Sequence, residues 1–438
     1  MKTIFALTTG SQRAGVAIIR VSGICALDSY AVLTGKKASP KPRFAYFCDF
    51  YNPANKEILD KGLAIYFQAP NSFTGEDIVE YHIHGGHAVI QGFLNALSSM
   101  EEHRMAEPGE FTKRAFINNK MDLTEAEAIA DLVDAETEAQ RVQALEQLGG
   151  GLSRLYNGWA DILKKSLAYQ EAEIEFPDDD MPEQLSEHLI PDVEKLIKEI
   201  EEHLDDKRRG ERLRNGILIA ILGAPNAGKS TLLNALAKRE AAIVSDEAGT
   251  TRDIIEVHMN LGGFPVILAD TAGLRVAENK IEAEGIRRAE NLSHEADIKL
   301  ALFDSTSKEK DTETQKLVDA KTVVIFTKVD KSIGVEAHKD AFKISAETGE
   351  GIDNLLEHLT QKISQTFGKK SGVSLTRERH RFALAETVEH LKRSLTASMP
   401  ELAAEDLRMA MRSLGTITGS VHVEDLLDRI FKDFCIGK

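Results

Sequence analysis

The sequence predicts an α/β module with a mostly parallel sheet, inserted into a helical domain and preceded by a separate mixed α+β domain. Changes of texture along the chain carry this reading. Short apolar runs broken by Gly, Pro and Asn fill residues 1–118, and helical periodicity rich in acidic residues follows over 119–210. Alternating buried runs and helical patterns occupy 211–370, and helical periodicity returns over 371–438. An α/β segment flanked by two helical segments of like character points to insertion, which requires only that the ends of the inserted domain lie close together.

In the first domain Val16-Ala-Ile-Ile-Arg-Val21 and Gly62-Leu-Ala-Ile-Tyr-Phe67 are strand runs. Beyond it, Thr124 followed by Glu127 has the spacing of a capping box, and Ile129, Leu132, Val133, Val142 and Leu145 recur at helical intervals. Pro177-Asp-Asp-Asp180 predicts an interrupting turn. Ile217-Leu-Ile-Ala-Ile-Leu222 is a buried-strand run that opens the third segment. In the last, Leu407, Met411 and Leu414, then Leu426, Leu427, Ile430 and Phe431, mark helices.

The chain has 438 residues, enough for about two to four domains. Lys and Arg number 54 against 70 Asp and Glu, and the net charge of −16 argues against general affinity for a phosphate backbone. Any nucleic-acid contact is therefore local or contributed by a partner. The N-terminal apolar run is too short for a signal-peptide core, and nothing approaches the roughly 18 apolar residues of a membrane span. Cys25, Cys48 and Cys435 form neither a disulfide framework nor a zinc pattern, so a soluble cytoplasmic protein without membrane association is expected.

The chemistry lies in the third segment. Gly223-Ala-Pro-Asn-Ala-Gly-Lys-Ser230 follows the buried strand and leads into a helix beginning near Thr231, the context a Walker A loop requires. Backbone N–H groups around Asn226, Ala227 and Gly228 wrap the β-phosphate, Lys229 neutralises β/γ oxygens and Ser230 takes Mg²⁺. Asp270 ends Val266-Ile-Leu-Ala269 and heads Asp270-Thr271-Ala272-Gly273, where a carboxylate holds the magnesium shell through water and a glycine N–H reaches the γ-phosphate. Thr327-Lys328-Val329-Asp330 closes another buried run. The Asp330 carboxylate accepts from guanine N1–H and the 2-amino group, a pair adenine lacks, so GTP is the expected nucleotide. Lys328 is expected along the ring, and Ser345 and Ala346 form the last base-contact loop. Related switch proteins carry Asn where this chain has Thr327. Asn both touches guanine N7 and ties the Walker loop to the base loop, of which threonine does only part.

Ser245-Asp246-Glu247-Ala248-Gly249-Thr250-Thr251-Arg252-Asp253 is the remaining switch loop, and one of its threonines completes the magnesium shell. Spacing alone does not choose between Thr250 and Thr251. Leu274 stands where many such proteins have a water-orienting glutamine. Catalytic power must come from elsewhere: Arg252 or Arg275 as a finger in cis, Glu282, or a bound cation, each arginine being equally a solvated loop charge.

Together, Gly-x-Pro-Asn-x-Gly-Lys-Ser, Gly-Thr-Thr-Arg-Asp and Asp-Thr-Ala-Gly-Leu-Arg resemble the bacterial and organellar tRNA modification GTPases of the MnmE (TrmE) family. The likeness extends to Ala17-Ile-Ile-Arg-Val-Ser-Gly23, His84-Gly-Gly86, Pro108-Gly-Glu-Phe-Thr-Lys-Arg-Ala-Phe116 and the final Phe434-Cys-Ile-Gly-Lys438. The resemblance implies a Ras-like P-loop GTPase domain inserted in helices and a folate-binding, dimerising N-terminal domain. It also implies a potassium ion in place of the finger, held by Asn226, Ser245, Glu247 and Thr250, with Thr251 on magnesium and Glu282 orienting water. Arg252 and Arg275 then order loops or interfaces. The implied partners are a second copy, the FAD- and NADH-dependent flavoprotein MnmG/GidA in a heterotetramer, and tRNA. The implied one-carbon source is a 5-formyl or 5,10-methylene tetrahydrofolate, used to install an aminomethyl or carboxymethylaminomethyl group on the wobble uridine. Arg20, Glu80, Lys120 and Lys438 are the implied folate residues, with Glu80 reading a pterin edge and the cations meeting the anionic tail or carboxylates. Cys435 is either a nucleophile or a small structural thiol.

Other charged groups have blander readings. His82, His84 and His87 are expected as turn histidines, since no carboxylate or cysteine completes a metal set. Lys207-Arg-Arg209, Arg212 and Arg214 are expected as a solvated helix end. A ribosome-assembly GTPase would share the switch but usually appends an RNA-binding module such as a KH fold with its Gly-x-x-Gly loop, and no such loop follows residue 370. A folate-dependent aminomethyltransferase with GTP as regulator would share the first domain.

Overall fold

The computed structural model describes residues 2–10, 13–175, 183–239, 255–270, 290–307, 311–331, 341–368, 373–421, 424–432 and 434–437. The chain divides into two compact units. Met1–Ala130, Ser153–Ala160 and Arg412–Lys438 make one; Asp131–Leu152 and Asp161–Met411 make the other. The C-terminal end of the chain thus belongs by compactness with the N-terminal domain.

The first unit is built on a six-stranded sheet of β1 (Thr3–Leu7), β2 (Ala14–Ser22), β3 (Ala45–Tyr51), β4 (Ile58–Phe67), β5 (Ile78–Gly85) and β6 (His103–Met105), ordered β3-β4-β5-β2-β1-β6. Among the described residues of this sheet only β1 and β6 pair in parallel. Alternation along β2 and β5 sends Ile19, Val21, Val79 and Tyr81 to one face, where they form a core with residues of the helices Ala26–Thr34 and His87–Ser98. Phe50, Tyr81 and Phe93 meet edge-on or tilted at centroid distances of 5.1–5.6 Å at its centre. Arg20 and Glu80 alternate onto the opposite face.

The helix Leu123–Val133 begins differently from the expectation. Asp122, not Thr124, is its cap: Asp122 Oδ1 accepts from Glu125 N at 3.0 Å while Glu125 Oε2 accepts from Asp122 N. A carboxylate two residues earlier has taken the role, and Thr124 Oγ1 donates to that same carboxylate at 2.8 Å. Pro177–Asp180 lies outside the described residues.

In the second unit a six-stranded sheet runs β12-β11-β10-β7-β9-β8, parallel except for the β8–β9 hairpin. Its strands are β7 (Ile217–Gly223), β8 (Ile255–Leu261), β9 (Phe264–Asp270), β10 (Ile298–Asp304), β11 (Thr322–Thr327) and β12 (Phe342–Lys343). Ile219, Ile221, Leu300 and Ile325 are fully buried and pack with Leu232, Leu355 and Ile363 from the flanking helices. Burial of each such side chain contributes about 1.5–3 kcal/mol. The consequence for function is registration: parallel pairing of β7, β9, β10 and β11 delivers Gly223, Asp270, Asp304 and Thr327 to the same, carboxyl edge of the sheet.

In the basic cluster Lys207 and Arg208 are exposed, as expected of a solvated helix end, whereas the three later arginines are tied down. Arg212 pairs with Asp297 at 3.0 Å, Arg214 with Asp131 at 2.8 Å, and Arg209 donates to Gly368 O and Ser374 Oγ. Among the described residues no helix is long and apolar enough to cross a membrane.

Candidate nucleotide site

The loop after β7 turns through Asn226 at φ 65° and Gly228 at φ 93°, then enters the helix Lys229–Arg239. The left-handed conformation costs most residues energy but suits Asn and Gly, so Asn226 has a backbone reason as well as a chemical one. Lys229 is buried, and its Nζ donates to Gly223 O at 2.8 Å and Ala224 O at 2.9 Å, a lysine folded across the mouth of its own loop. Burial lowers its pKa, while the nearby Asp270 and Asp311 carboxylates oppose that.

Ser230 Oγ donates to Asp270 Oδ2 at 2.8 Å, and Asp270 is fully buried at the end of β9. Two hard oxygen donors from separate elements thus converge beside the loop, a donor set that fits Mg²⁺. Thr231 follows on the exposed side of the helix start.

At the base end, Thr327 is 3% exposed and its Oγ1 donates to Ala227 O at 2.7 Å. Threonine therefore performs the loop-to-loop tie by itself. Lys328, at φ 58°, is held by Asp304 at 2.6 Å. Burial alone would raise the Asp304 carboxyl; hydrogen bonds from Lys328 and Thr306 outweigh it and hold the group below its usual range. Asp330 sits exposed on a single 3-10 turn, Val329–Lys331. Ser345 is buried: its carbonyl accepts from Gly349 N at 2.8 Å and its hydroxyl from Thr348 N at 3.2 Å, which shapes the loop carrying Ala346. Asp304 and Asp311 were not singled out from the sequence. Asp304 ends a buried run, and Asp311-Thr-Glu-Thr has the pattern of a helix start, so a signal was present for each.

Ser245, Asp246, Glu247, Ala248, Gly249, Thr250, Thr251, Arg252, Thr271, Ala272, Gly273, Leu274, Arg275, Glu282 and Lys438 lie outside the described residues. A cavity of about 250 Å³ in this unit, lined by Val142, Leu213, Phe264 and Phe367, shares no residue with the Walker loop.

On the first unit's sheet Arg20 Nε donates to Glu80 Oε1 at 2.9 Å, because the two face each other in the β2–β5 register. The guanidinium also lies 5.2 Å and 5.6 Å from the Phe73 and Phe111 ring centroids. These two residues, expected at different parts of one ligand, thus form a pair. Lys120 Nζ donates to Pro70 O at 2.9 Å on the surface. His82 and His84 lie on β5 rather than in a turn, with His84 Nδ1 2.8 Å from Asp60. Among the described residues no group of His, Cys, Asp or Glu assembles to hold a metal ion.

The tail docks on this same unit. Gly109 N donates to the Cys435 carbonyl at 3.4 Å, and the Cys435 side chain is exposed. Gly437, at φ 103°, is buried so closely against β1 that a Cβ would stand 2.3 Å from Leu7 O. Only glycine meets both demands.

Comparison with known proteins matches this arrangement over the whole chain. Residues 3–120 match the family model described as GTP-binding protein TrmE N-terminus, and residues 123–435 that of the MnmE helical domain. The tRNA modification GTPase MnmE of Parvibaculum lavamentivorans is 52% identical, and that of Paramagnetospirillum magneticum 51%, each alignment covering 100% of both chains. The Rickettsia prowazekii protein of the same name is 43% identical, again over 100% of both. The conclusion is that this chain belongs to the MnmE (TrmE) family of tRNA modification GTPases.

Proposed function

We propose that this chain is a potassium-activated GTPase that works with a FAD- and NADH-dependent flavoprotein on tRNA. In this reading it uses a tetrahydrofolate one-carbon unit to install a carboxymethylaminomethyl or aminomethyl group at C5 of the wobble uridine. GTP hydrolysis in tRNA modification is the family's activity. The observation that carries the nucleotide seat is the convergence of Lys229, Ser230, Asp270 and Thr327 at one edge of the parallel sheet.

Each residue has a defined task. Lys229 brings an ammonium to the β/γ oxygens, Ser230 and Thr251 offer hydroxyl oxygens to magnesium, and Asp270 holds the magnesium shell. Asn226, Ser245, Glu247 and Thr250 offer oxygen ligands to potassium, and Glu282 orients the attacking water. Bound magnesium and potassium would supply positive charge to the β- and γ-phosphates as the leaving group develops charge, and bound folate the one-carbon unit. Asp330 reads the guanine edge, while Thr327 keeps the Walker loop and the base loop in register.

At the folate end, Glu80 addresses the pterin, and the hydrogen bond from Arg20 fixes the carboxylate's orientation. Supporting this placement is the docking of the tail against Leu7, since Ala6, its chain neighbour, is the β1 partner of Arg20. In this reading Lys438 and Lys120 meet the anionic groups of the folate. The functional unit is a homodimer joined by the flavoprotein into a heterotetramer in the cytoplasm.

The decisive test is nucleoside mass spectrometry of tRNA from a strain lacking the gene. Loss of the C5 substituent at wobble uridines is expected; modification patterns identical to those of the parent would overturn the assignment. In vitro modification with non-hydrolysable GTP separates an active GTPase role from a merely regulatory nucleotide.

A further inference from the structure

We propose that Asp311 is a positioning residue for GTP hydrolysis, acting through the Ala224 peptide on Lys229. Asp311 follows β10 and divides its carboxylate between two tasks. Oδ1 accepts from Thr314 N at 3.0 Å and caps the helix Thr312–Lys316, while Oδ2 accepts from Ala224 N at 3.0 Å, across 87 residues of sequence. The Ala224 carbonyl in turn accepts from Lys229 Nζ at 2.9 Å. One residue of the Walker loop is therefore gripped at its N–H by a carboxylate and at its carbonyl by the ammonium meant for the phosphates.

This arrangement has a physical purpose. A peptide group is planar, and an N–H held by a charged acceptor is held more firmly than by a neutral one. Fixing Ala224 N–H fixes the plane of the Gly223–Ala224 peptide, and with it the Gly223 carbonyl, which accepts from Lys229 Nζ at 2.8 Å. Together with the Ala224 carbonyl at 2.9 Å, it sets where the lysine ammonium stands. Without Asp311 the Ala224 peptide would be free to tilt, a smaller fraction of molecules would present the ammonium correctly, and apparent affinity would fall by that fraction.

This inference rests on the Walker loop being the nucleotide seat. The test uses the full chain and measures KM and kcat for GTP together with thermal melting. Asp311→Ser retains a capping oxygen for the helix but does not reach Ala224; Asp311→Asn keeps the shape but has one acceptor oxygen for two donors. Both are expected to raise KM for GTP about tenfold, with kcat within about threefold and the melting temperature within about 2 °C of the parent. KM unchanged within twofold in both variants, while Lys229→Ala loses GTP binding, would overturn the role of Asp311 and leave the seat intact. A fall in melting temperature of more than about 5 °C in both, in step with KM, would overturn it in favour of a purely structural cap. Unchanged nucleotide binding in Lys229→Ala would instead remove the seat itself.

Discussion

Replacing Thr327 by Val removes one hydroxyl at nearly constant shape. The hydroxyl is the donor to Ala227 O at 2.7 Å, and both residues are almost wholly buried, Thr327 at 3% and Ala227 at 2% exposure. Water therefore has little access to replace the lost donor, and a buried carbonyl left without its partner costs about 1–3 kcal/mol. Taking about 1.5 kcal/mol, and about 2–4 °C of Tm per kcal/mol in a unit of this size, the melting temperature should fall by about 3–6 °C. Because Ala227 belongs to the Walker loop, part of that cost reappears in binding. Kd for GTP and for GDP should rise about three- to tenfold, which is about 0.7–1.4 kcal/mol. Titration with a fluorescent nucleotide and a melting curve measure the two quantities on one sample. A Val variant that melts within 1 °C of the parent, as about half a kcal/mol at most would allow, and binds both nucleotides as tightly as the parent would refute the tie. Thr327→Asn supplies the same donor and adds a second polar group toward the base, so binding should tighten by about 0.5–1.5 kcal/mol. Unchanged or weaker affinity would mean that the loop is built around threonine.

Potassium is expected to stimulate turnover strongly over sodium. Asn226→Gly should abolish that preference while leaving GTP binding largely intact, glycine being chosen because the position has φ 65° and alanine would add backbone strain; equal rates of the native protein in the two salts would sink the idea. Glu282→Ala should lower kcat by about 10²-fold with little change in nucleotide affinity, and a fall below threefold in stopped-assay turnover would make Glu282 a loop charge. Gly437→Val places a branched side chain where Leu7 O already stands and where φ is 103°. Folate binding and wobble-uridine modification should fall together while GTP hydrolysis persists; unchanged folate affinity, measured by equilibrium dialysis, would assign the tail to another partner.

The sequence by itself determined which residues are candidates for the nucleotide chemistry and in what order they occur. Walker loop, Asp270 and Thr327-Lys-Val-Asp330 each follow a buried run, and chain-local patterns of that kind need no knowledge of distant neighbours. The helical texture of both flanks was legible for the same reason, since side-chain periodicity is local. Which of two nearby capping patterns would be used was not. Asp122 displaced Thr124 because the donors each oxygen meets depend on where the helix begins. Only the tertiary structure decided the pairings across long sequence separations. Parallel register brought Asp270 to Ser230, Thr327 to Ala227 and Asp311 to Ala224, and antiparallel register turned Arg20 toward Glu80 instead of leaving each for its own part of a ligand. It also placed Arg212 and Arg214, expected as solvated charges at a helix end, in ion pairs with Asp297 and Asp131. A charge in a sequence carries no record of its partner. Packing supplies it, and burial sets how much that partnership is worth.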